Sequence, residues 1–306
     1  MFRHIVVGCD GSPEGNDAVA LGATLAALTD ARLSLVGVFP TSLFPVSGQS
    51  DRRTLRAQTT RSLRSARDCL APQAVTHCIA DNSVPRALRH FADRTQADVV
   101  VLGSNPAAPP GHTAIGRRGR QLLYDAPFAL GLAARGVHEQ PGGLSAIGIG
   151  YDSGPEAAAA LMVAAELARG AGDVRLLVRH IVPDELPALT MQEWMAVKDW
   201  DHANVWEEKR RTALAETQTA VSKLAVPAEA SATVGDPGYA LRDFSATVDL
   251  LVVGSRRWGP VARLVSGGVG ETLVTDAQCS TLIVPRPQPP RRRTAAGQGH
   301  RKQVTA

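Results

Sequence analysis

The chain is 306 residues long, 44% apolar and 20% charged, which suits ordinary globular domains and leaves room for two of them. No apolar run approaches the ~20 residues of a membrane helix. The formal charge of +4 comes from residues 286–306, which hold Arg286, Arg291, Arg292, Arg293, Arg301 and Lys302 and no acid; residues 1–285 sum to −2, which argues against a body that grips nucleic acid.

In chain order, residues 3–8 read as a buried strand. A helix follows over 15–29, with Ala18, Leu21, Leu25 and Leu28 at helical spacing. Residues 32–38 read as a strand, 40–50 as a Pro/Ser/Gly loop, 51–69 as a polar helix and 74–79 as a short strand. Pro85 suits the first turn of a helix that ends near Arg94. The apolar run 98–102 is of the kind buried inside a parallel sheet. A loop over 103–115, a helix from Gly116 to Asp125 and a strand from Phe128 to Leu132 complete this half.

Residues 136–143, with Gly136, Pro141, Gly142 and Gly143, read as a linker. The same order then returns: strand 145–150, helix 155–169, strand 174–180, a loop, a long helix within 191–225, strand 229–234, helix 238–247, strand 249–253, a loop, helix 267–276 and strand 280–284. Trp194, Trp200 and Trp206 recur every six residues, so they share no helical face. The extension 286–306 is rich in Pro, Gly and Arg and reads as a disordered, basic tail.

The repetition extends to individual residues. Asp10, after Ile5–Cys9 and before Gly11-Ser12-Pro13-Glu14, is matched by Asp152, after Ile147–Tyr151 and before Ser153-Gly154-Pro155-Glu156. Asp98 to Ser104 is matched by Asp249 to Ser255. Offsets of 142 and 151 define two copies of one domain, residues 1–137 and 143–285, with about nine extra residues in the second. Solenoid units are shorter, ~20–50 residues.

Alternating strands and helices with continuously apolar strands predict a parallel sheet covered on both faces, with right-handed crossovers. Ligands of such sheets bind beyond the carboxyl ends of the strands, where strand order reverses. Asp10 and Gly103 in one half, and Asp152 and Gly254 in the other, flank that crevice.

A strand ending in Asp-Gly-Ser, a strand ending in Gly-Ser-Arg, a helix start bearing Gly and a closing Leu282-Ile283-Val284-Pro285 together resemble the universal stress protein family in its tandem form, over residues 1–285. The resemblance implies two Rossmann-like, five-stranded α/β sandwiches. It implies association through the fifth strands, here near 128–132 and 280–284, either between the halves as a pseudo-dimer or in a homodimer. Many members bind ATP and others do not. In the binders, the Asp and a backbone group at the end of strand two meet the base or ribose, which places Asp10 and Val38, and Asp152 and Ile181, at the two sites. Mg²⁺ could accompany a nucleotide on Asp10.

The binders hold phosphate with Gly, two residues, Gly, nine residues, Gly, then Ser or Thr. Glycines admit close approach, and helix-start amides with a hydroxyl donate. The first half offers Gly103, Pro106 in place of Gly, Gly116, and Arg117 in place of the hydroxyl residue. The second offers Gly254 with Ser255, Arg257 in place of Gly, Gly267, and Gly268 in place of the hydroxyl residue. Pro106 removes an amide donor. Arg117 and Arg257 suit phosphate partners and solvated surface side chains equally; Arg118, Arg120, Arg256 and Arg263 read as surface. The two aspartates also suit an ordinary turn that caps the next helix.

No catalytic pattern stands out: there is no Gly-x-x-x-x-Gly-Lys-[Ser/Thr], no His-Glu-x-x-His and no Gly-x-Ser-x-Gly. The histidines lack ligand spacing, and His180 reads as a satisfied, half-buried ring. Cys9, Cys69, Cys78 and Cys279 lack zinc or Cys-x-x-Cys spacing and read as free thiols of a reducing cytosol. The first strand begins at Arg3, which leaves no room for a secretory leader and predicts a cytoplasmic protein. The leading expectation is a stress-response regulator that binds ATP in at least one half, the second by preference, and acts on an unidentified protein partner. The alternative is an interaction scaffold with decayed phosphate loops, and an enzyme such as a slow ATPase ranks last.

Overall fold

The computed structural model describes residues 2–41, 49–123, 126–139, 142–184, 202–255 and 276–285. Its strands are β1 (His4–Gly8), β2 (Arg32–Phe39), β3 (Val75–Ala80), β4 (Val99–Gly103), β5 (Ala129–Ala133), β6 (Ala146–Tyr151), β7 (Arg175–Val182), β8 (Glu229–Val234), β9 (Leu250–Gly254) and β10 (Ser280–Val284). Its helices are α1 (Pro13–Thr29), α2 (Gln49–Leu70), α3 (Val84–Thr95), α4 (Arg117–Leu123), α5 (Pro155–Ala171), α6 (His202–Val221) and α7 (Pro237–Ser245). The expected boundaries hold within a few residues. The helix expected over 116–125 begins one residue later, at Arg117. The one expected over 267–276 lies outside the described residues except for Asp276.

The strands form one sheet in the order β3-β2-β1-β4-β5-β10-β9-β6-β7-β8. Each half is a parallel five-stranded unit, and the second is laid down in mirrored order. The seam is antiparallel: Leu130, Gly131 and Leu132 of β5 face Ile283, Leu282 and Thr281 of β10. The fifth strands therefore meet within the chain, each covering the edge that the other would expose.

On one face of the sheet, α1, α2, α5 and α6 cover a core that draws on both halves, from Ile5, Val7 and Leu25 to Ile147, Ile149 and Leu167. Helices α1 and α5 cross closely there, since a Cβ on Gly170 would sit 1.9 Å from the Leu28 carbonyl oxygen. On the other face the halves keep separate cores, one around Val6, Leu88 and Leu130, the other around Leu241, Phe244 and Leu251.

The matched aspartates Asp98 and Asp249 share one duty. Asp98, just before β4, accepts from the amides of Arg3 and His4 at 2.7 and 3.0 Å. Asp249, before β9, accepts from Ser145 N and Oγ and from Ala146 N at 2.6, 2.7 and 2.9 Å. Burial raises the pKa of Asp249, but these donors together hold it below the usual carboxylate value. Both carboxylates tie the start of strand one to strand four, at the end of the sheet away from the crevice. Their repetition is structural.

The linker is pinned by a residue that does not repeat. Asp17 of α1 is fully buried and accepts from Gly136 N at 2.9 Å, from His138 N at 3.0 Å and from the His138 ring at 2.5 Å. Gly136 takes a left-handed φ of 85°, which turns the chain out of β5 into a single 3-10 turn, Val137–Glu139. The matching residue of α5 is Ala159, where no linker leaves.

Candidate functional site

Strand order reverses between β1 and β4 in the first half and between β6 and β9 in the second, and the candidate crevices lie beyond the carboxyl ends of those strands. In the first, Asp10 follows β1. Its Oδ1 accepts from Ser12 N at 3.1 Å and Ser12 Oγ at 2.6 Å, and Ser12 Oγ in turn accepts from Gly15 N at 3.0 Å. Ser12 is therefore the N-cap of α1 and Asp10 braces it, with Gly11 supplying φ 85° between them. Oδ2 of Asp10 lies 3.8 Å from Arg118 Nη1. Arg118, read from sequence as surface, reaches the aspartate, while Arg117 and Arg120 line a neighbouring open cleft of about 710 Å³ with Asn105, Ile115, Gly116 and Gln121.

Gly103 and Gly254 owe their place to packing. A Cβ on Gly103 would lie 2.0 Å from the Glu14 carbonyl oxygen, and one on Gly254 would lie 2.4 Å from that of Glu156. Strand four runs hard against the first turn of the first helix of each half, α1 and α5. Gly116 is different: a Cβ there would meet nothing within 4 Å, so the protein leaves space beside it.

The loop between Gly103 and Gly116 is closed on itself and on the other half. Asn105 N donates to Ala114 O, Ala107 N to Asn105 Oδ1, Ala108 N to Asn105 O, Gly111 N to Arg135 O and His112 N to Pro109 O. Thr113 N donates to Ala277 O at 2.7 Å and Ala114 N to Ser104 Oγ at 2.6 Å. Positions 106, 109 and 110 are prolines without amides. Every backbone donor from 105 to 114 is committed to a protein acceptor. Thr113 also donates its hydroxyl to Cys279 O at 2.6 Å, and His112 Nδ1 meets Asp276 Oδ1 at 2.9 Å, where Arg242 pairs with Oδ2. The segment that would cradle phosphate acts instead as a strap across the seam.

In the second crevice, Asp152 Oδ1 accepts from Gly154 N at 2.9 Å. Gly-Ser of the first half is inverted here to Ser153-Gly154. Ser153 takes the left-handed position, φ 59°, and Gly154 is an N-cap without a side-chain bond. Ser153 Oγ donates to Glu216 Oε2 of α6 at 2.7 Å. His180, two residues before the end of β7, is buried; its Nδ1 lies 3.2 Å from Thr217 Oγ1, whose hydroxyl donates to Ala213 O. Tyr151 stands edge-on to His180, ring centroids 5.8 Å apart. Burial lowers the His180 pKa and raises that of Tyr151, so both are neutral near pH 7.

The corresponding first-half positions are Cys9, Gly11, Gly37, Ser62 and Leu63, and a Cβ on Gly37 would meet Leu63 just as His180 meets Thr217. The polar cluster thus belongs to the second half alone. Sequence reading reached His180 as a satisfied ring but missed Tyr151, Glu216 and Thr217; laying α2 against α6 position by position would have exposed them. Val38 and Ile181 sit at the ends of β2 and β7 as expected, Val38 half-buried and Ile181 buried. Ser255 is buried and its amide donates to Val284 O at 2.8 Å. Arg257, Gly267 and Gly268 lie outside the described residues. Among the described residues, no group of three His, Cys, Asp or Glu side chains is placed to hold a metal ion, and no helix is long and apolar enough to cross a membrane.

The universal stress protein family profile matches residues 1–129 and again 144–285, and the chain belongs to that family, with its domain present twice. Solved structures agree on the fold. A universal stress protein from Archaeoglobus fulgidus superposes with a TM-score of 0.61 at 12% identity, over 93% of this chain and 98% of that one. A putative universal stress protein from Pseudomonas aeruginosa gives a TM-score of 0.61 at 15% identity, over 93% of each chain. A functionally unknown protein from the same species gives 0.62 at 14% identity, again over 93% of each. No curated protein sequence matches the chain.

Proposed function

We propose that the protein is a stress-response regulator that binds an adenine nucleotide, ATP, in its second half, while the first half serves as a structural partner. The observation that carries this is the closed strap: with the donors from 105 to 114 spent on protein acceptors, none of those amides is left to offer a phosphate, and the first half keeps only the start of α4 for that role. The second half keeps Asp152 after β6, Ile181 near the end of β7 and Gly254-Ser255 at the end of β9, at the carboxyl ends of three neighbouring strands. Neutral Tyr151 and His180 bring no charge that would oppose a nucleotide. Arg257, Gly267 and Gly268 complete the proposed phosphate end, and Mg²⁺ would enter only with the nucleotide. In the first half, the Arg117 side chain and the backbone at Gly116 are what an anion would meet, and the Asp10 carboxylate would repel it.

Calorimetric titration of the nucleotide-free full chain with ATP tests the reading. The expected result is one site per chain, abolished by Asp152→Ala and little changed by Asp10→Ala. Two sites per chain would show that arginine replaces the loop amides in the first half. Absence of heat at millimolar ATP would overturn the proposal in favour of the scaffold reading, which the same strap also supports.

A further inference from the structure

Summing charge over the whole body conceals a division. Residues 1–137 contain 15 arginines, no lysine and 10 acids, whereas residues 143–285 contain 12 basic residues and 18 acids. The halves are thus +5 and −6, and the near-neutral body expected from sequence is two opposed ones. The positive charge of the first half is concentrated on α2, which carries six arginines against Asp51 and Asp68.

Helix α2 lies over β2 and β3 at the outer edge of the sheet. Leu63 and Ala66 are buried against the sheet, while Arg52, Arg53, Arg56, Arg61 and Arg64 are exposed. Among the described residues, Arg67 is the one α2 arginine with an ion-pair partner, Asp68 at 2.6 Å. The duplicate helix provides an internal comparison. In α6, Lys209, Arg210 and Arg211 are balanced by Glu207, Glu208 and Glu216, and Glu207 pairs with Arg210 at 2.7 Å and Arg211 at 3.8 Å. Where α6 neutralises its cations, α2 leaves them in a row that rises ~18 Å from Arg52 to Arg64 at about 1.5 Å per residue.

We infer that the solvent face of α2 binds the phosphodiester backbone of a nucleic acid without reading its sequence. The chemistry of the face selects this partner. Guanidinium forks match phosphate oxygens, and an ~18 Å row spans about five phosphates at 3.4 Å per phosphate of one strand. A membrane would require an apolar face on the helix, but the apolar side of α2 is spent on the sheet, and among the described residues the exposed large apolar side chains are single ones off the helix, Val75 on β3, Met162 and Tyr239. A specific protein interface would require buried aromatic or aliphatic anchors, and the exposed face has none. The acidic second half lies at the far end of the sheet and confines the polyanion to the α2 edge. This surface is separate from the nucleotide crevice, so the inference does not rest on that function.

Fluorescence anisotropy of a labelled 20-base-pair DNA duplex and of its RNA counterpart, titrated with the full chain at 50 and 200 mM salt, tests it. Micromolar binding is expected at the lower salt, weakening at least tenfold at the higher, because about three to five contacts give a log–log slope near −3 to −4. Arg53→Glu/Arg56→Glu/Arg64→Glu should weaken binding at least tenfold at 50 mM. The full chain carrying Arg291→Gln/Arg292→Gln/Arg293→Gln should retain most of it. The glutamate variants are surface changes; if their melting falls, the same positions changed to Gln should still weaken binding. Unchanged affinity in the α2 variants, or binding lost only with the tail variants, would overturn the inference. So would capture by phosphatidylserine vesicles without binding to either duplex.

Discussion

Asp17 sets the junction between the halves, and its removal should be felt out of proportion to its size. Asp17→Ala leaves Gly136 N, His138 N and the His138 ring without their acceptor. Hydrogen bonds to a charged acceptor contribute about 1.5–3 kcal/mol each, and breaking a buried charged pair typically costs about 3–5 kcal/mol. Two gains offset this: the carboxylate no longer has to be desolvated, and alanine is the better helix former by about 0.6 kcal/mol. Gly136 and His138 are only partly buried, so water can replace some of the lost acceptors. The expected net loss is about 2–4 kcal/mol, a large share of the 5–15 kcal/mol typical of a folded domain. Asp17→Asn should lose a similar amount, because its amide would face a backbone donor. Urea unfolding followed by circular dichroism would measure both variants, and Ala159→Gly on α5 should cost only about 1 kcal/mol. A loss below 1 kcal/mol in both Asp17 variants would refute the pinned-linker reading.

Gly103→Ala forces a Cβ to within 2.0 Å of Glu14 O and should lower stability by about 1–3 kcal/mol, while Gly116→Ala should be nearly silent in the melting temperature. Equal losses would refute the packing role assigned to Gly103. His4 and His180 have pKa values lowered by burial, so their contribution to stability is fully present above about 6.5, the unfolded value, and is lost as pH falls through the lower folded value. Stability should therefore decline as pH falls below about 6.5, and the decline should shrink in His4→Gln/His180→Gln; an unchanged slope would show that other groups drive it. The depressed Asp249 adds a second loss, below about pH 4, which Asp249→Asn should remove together with its three anchoring bonds.

The fold was legible because its signals are local and doubled. The runs Ile5–Cys9 and Ile147–Tyr151, each ending in Asp and leading to a Pro-Glu helix start, fix strand, turn and helix in both halves. The positions of Asp10 and Asp152 followed from topology, and those of Val38 and Ile181 from the family resemblance. What stayed hidden depends on contacts remote in sequence. The pinning of Asp17 joins residues 121 apart, and the meeting of His112 with Asp276 joins residues 164 apart. The loop 104–114 has the composition of a surface turn, and only its bonds to Ala277 and Cys279 reveal a strap. Arg118, which from sequence alone has the look of any surface arginine, lies 3.8 Å from Asp10, a contact between residues far apart in the chain.

The duplication separates two kinds of constraint. Residues repeated in both halves, Asp98 with Asp249 and Gly103 with Gly254, are those the unit needs to fold: the first pair ties strand four to the start of strand one, and the second clears room for a helix turn. A reading that weights repeated residues therefore finds the scaffold first. Residues that differ at matched positions have been released from the common fold and carry what each half does alone. Asp17 against Ala159 gives the linker its anchor. The proline-interrupted strap gives the seam its clasp. Gly37 and Leu63 against His180 and Thr217 turn an apolar packing site into a polar cluster beside Asp152. The exposed arginine excess of α2 against the acid-balanced cations of α6 leaves one edge of the sheet positive. Each of these differences imposes a local cost, such as a buried carboxylate, a serine at φ 59° or uncompensated like charges, and such costs persist where a function selects them. The asymmetry between the halves, more than their likeness, locates the chemistry.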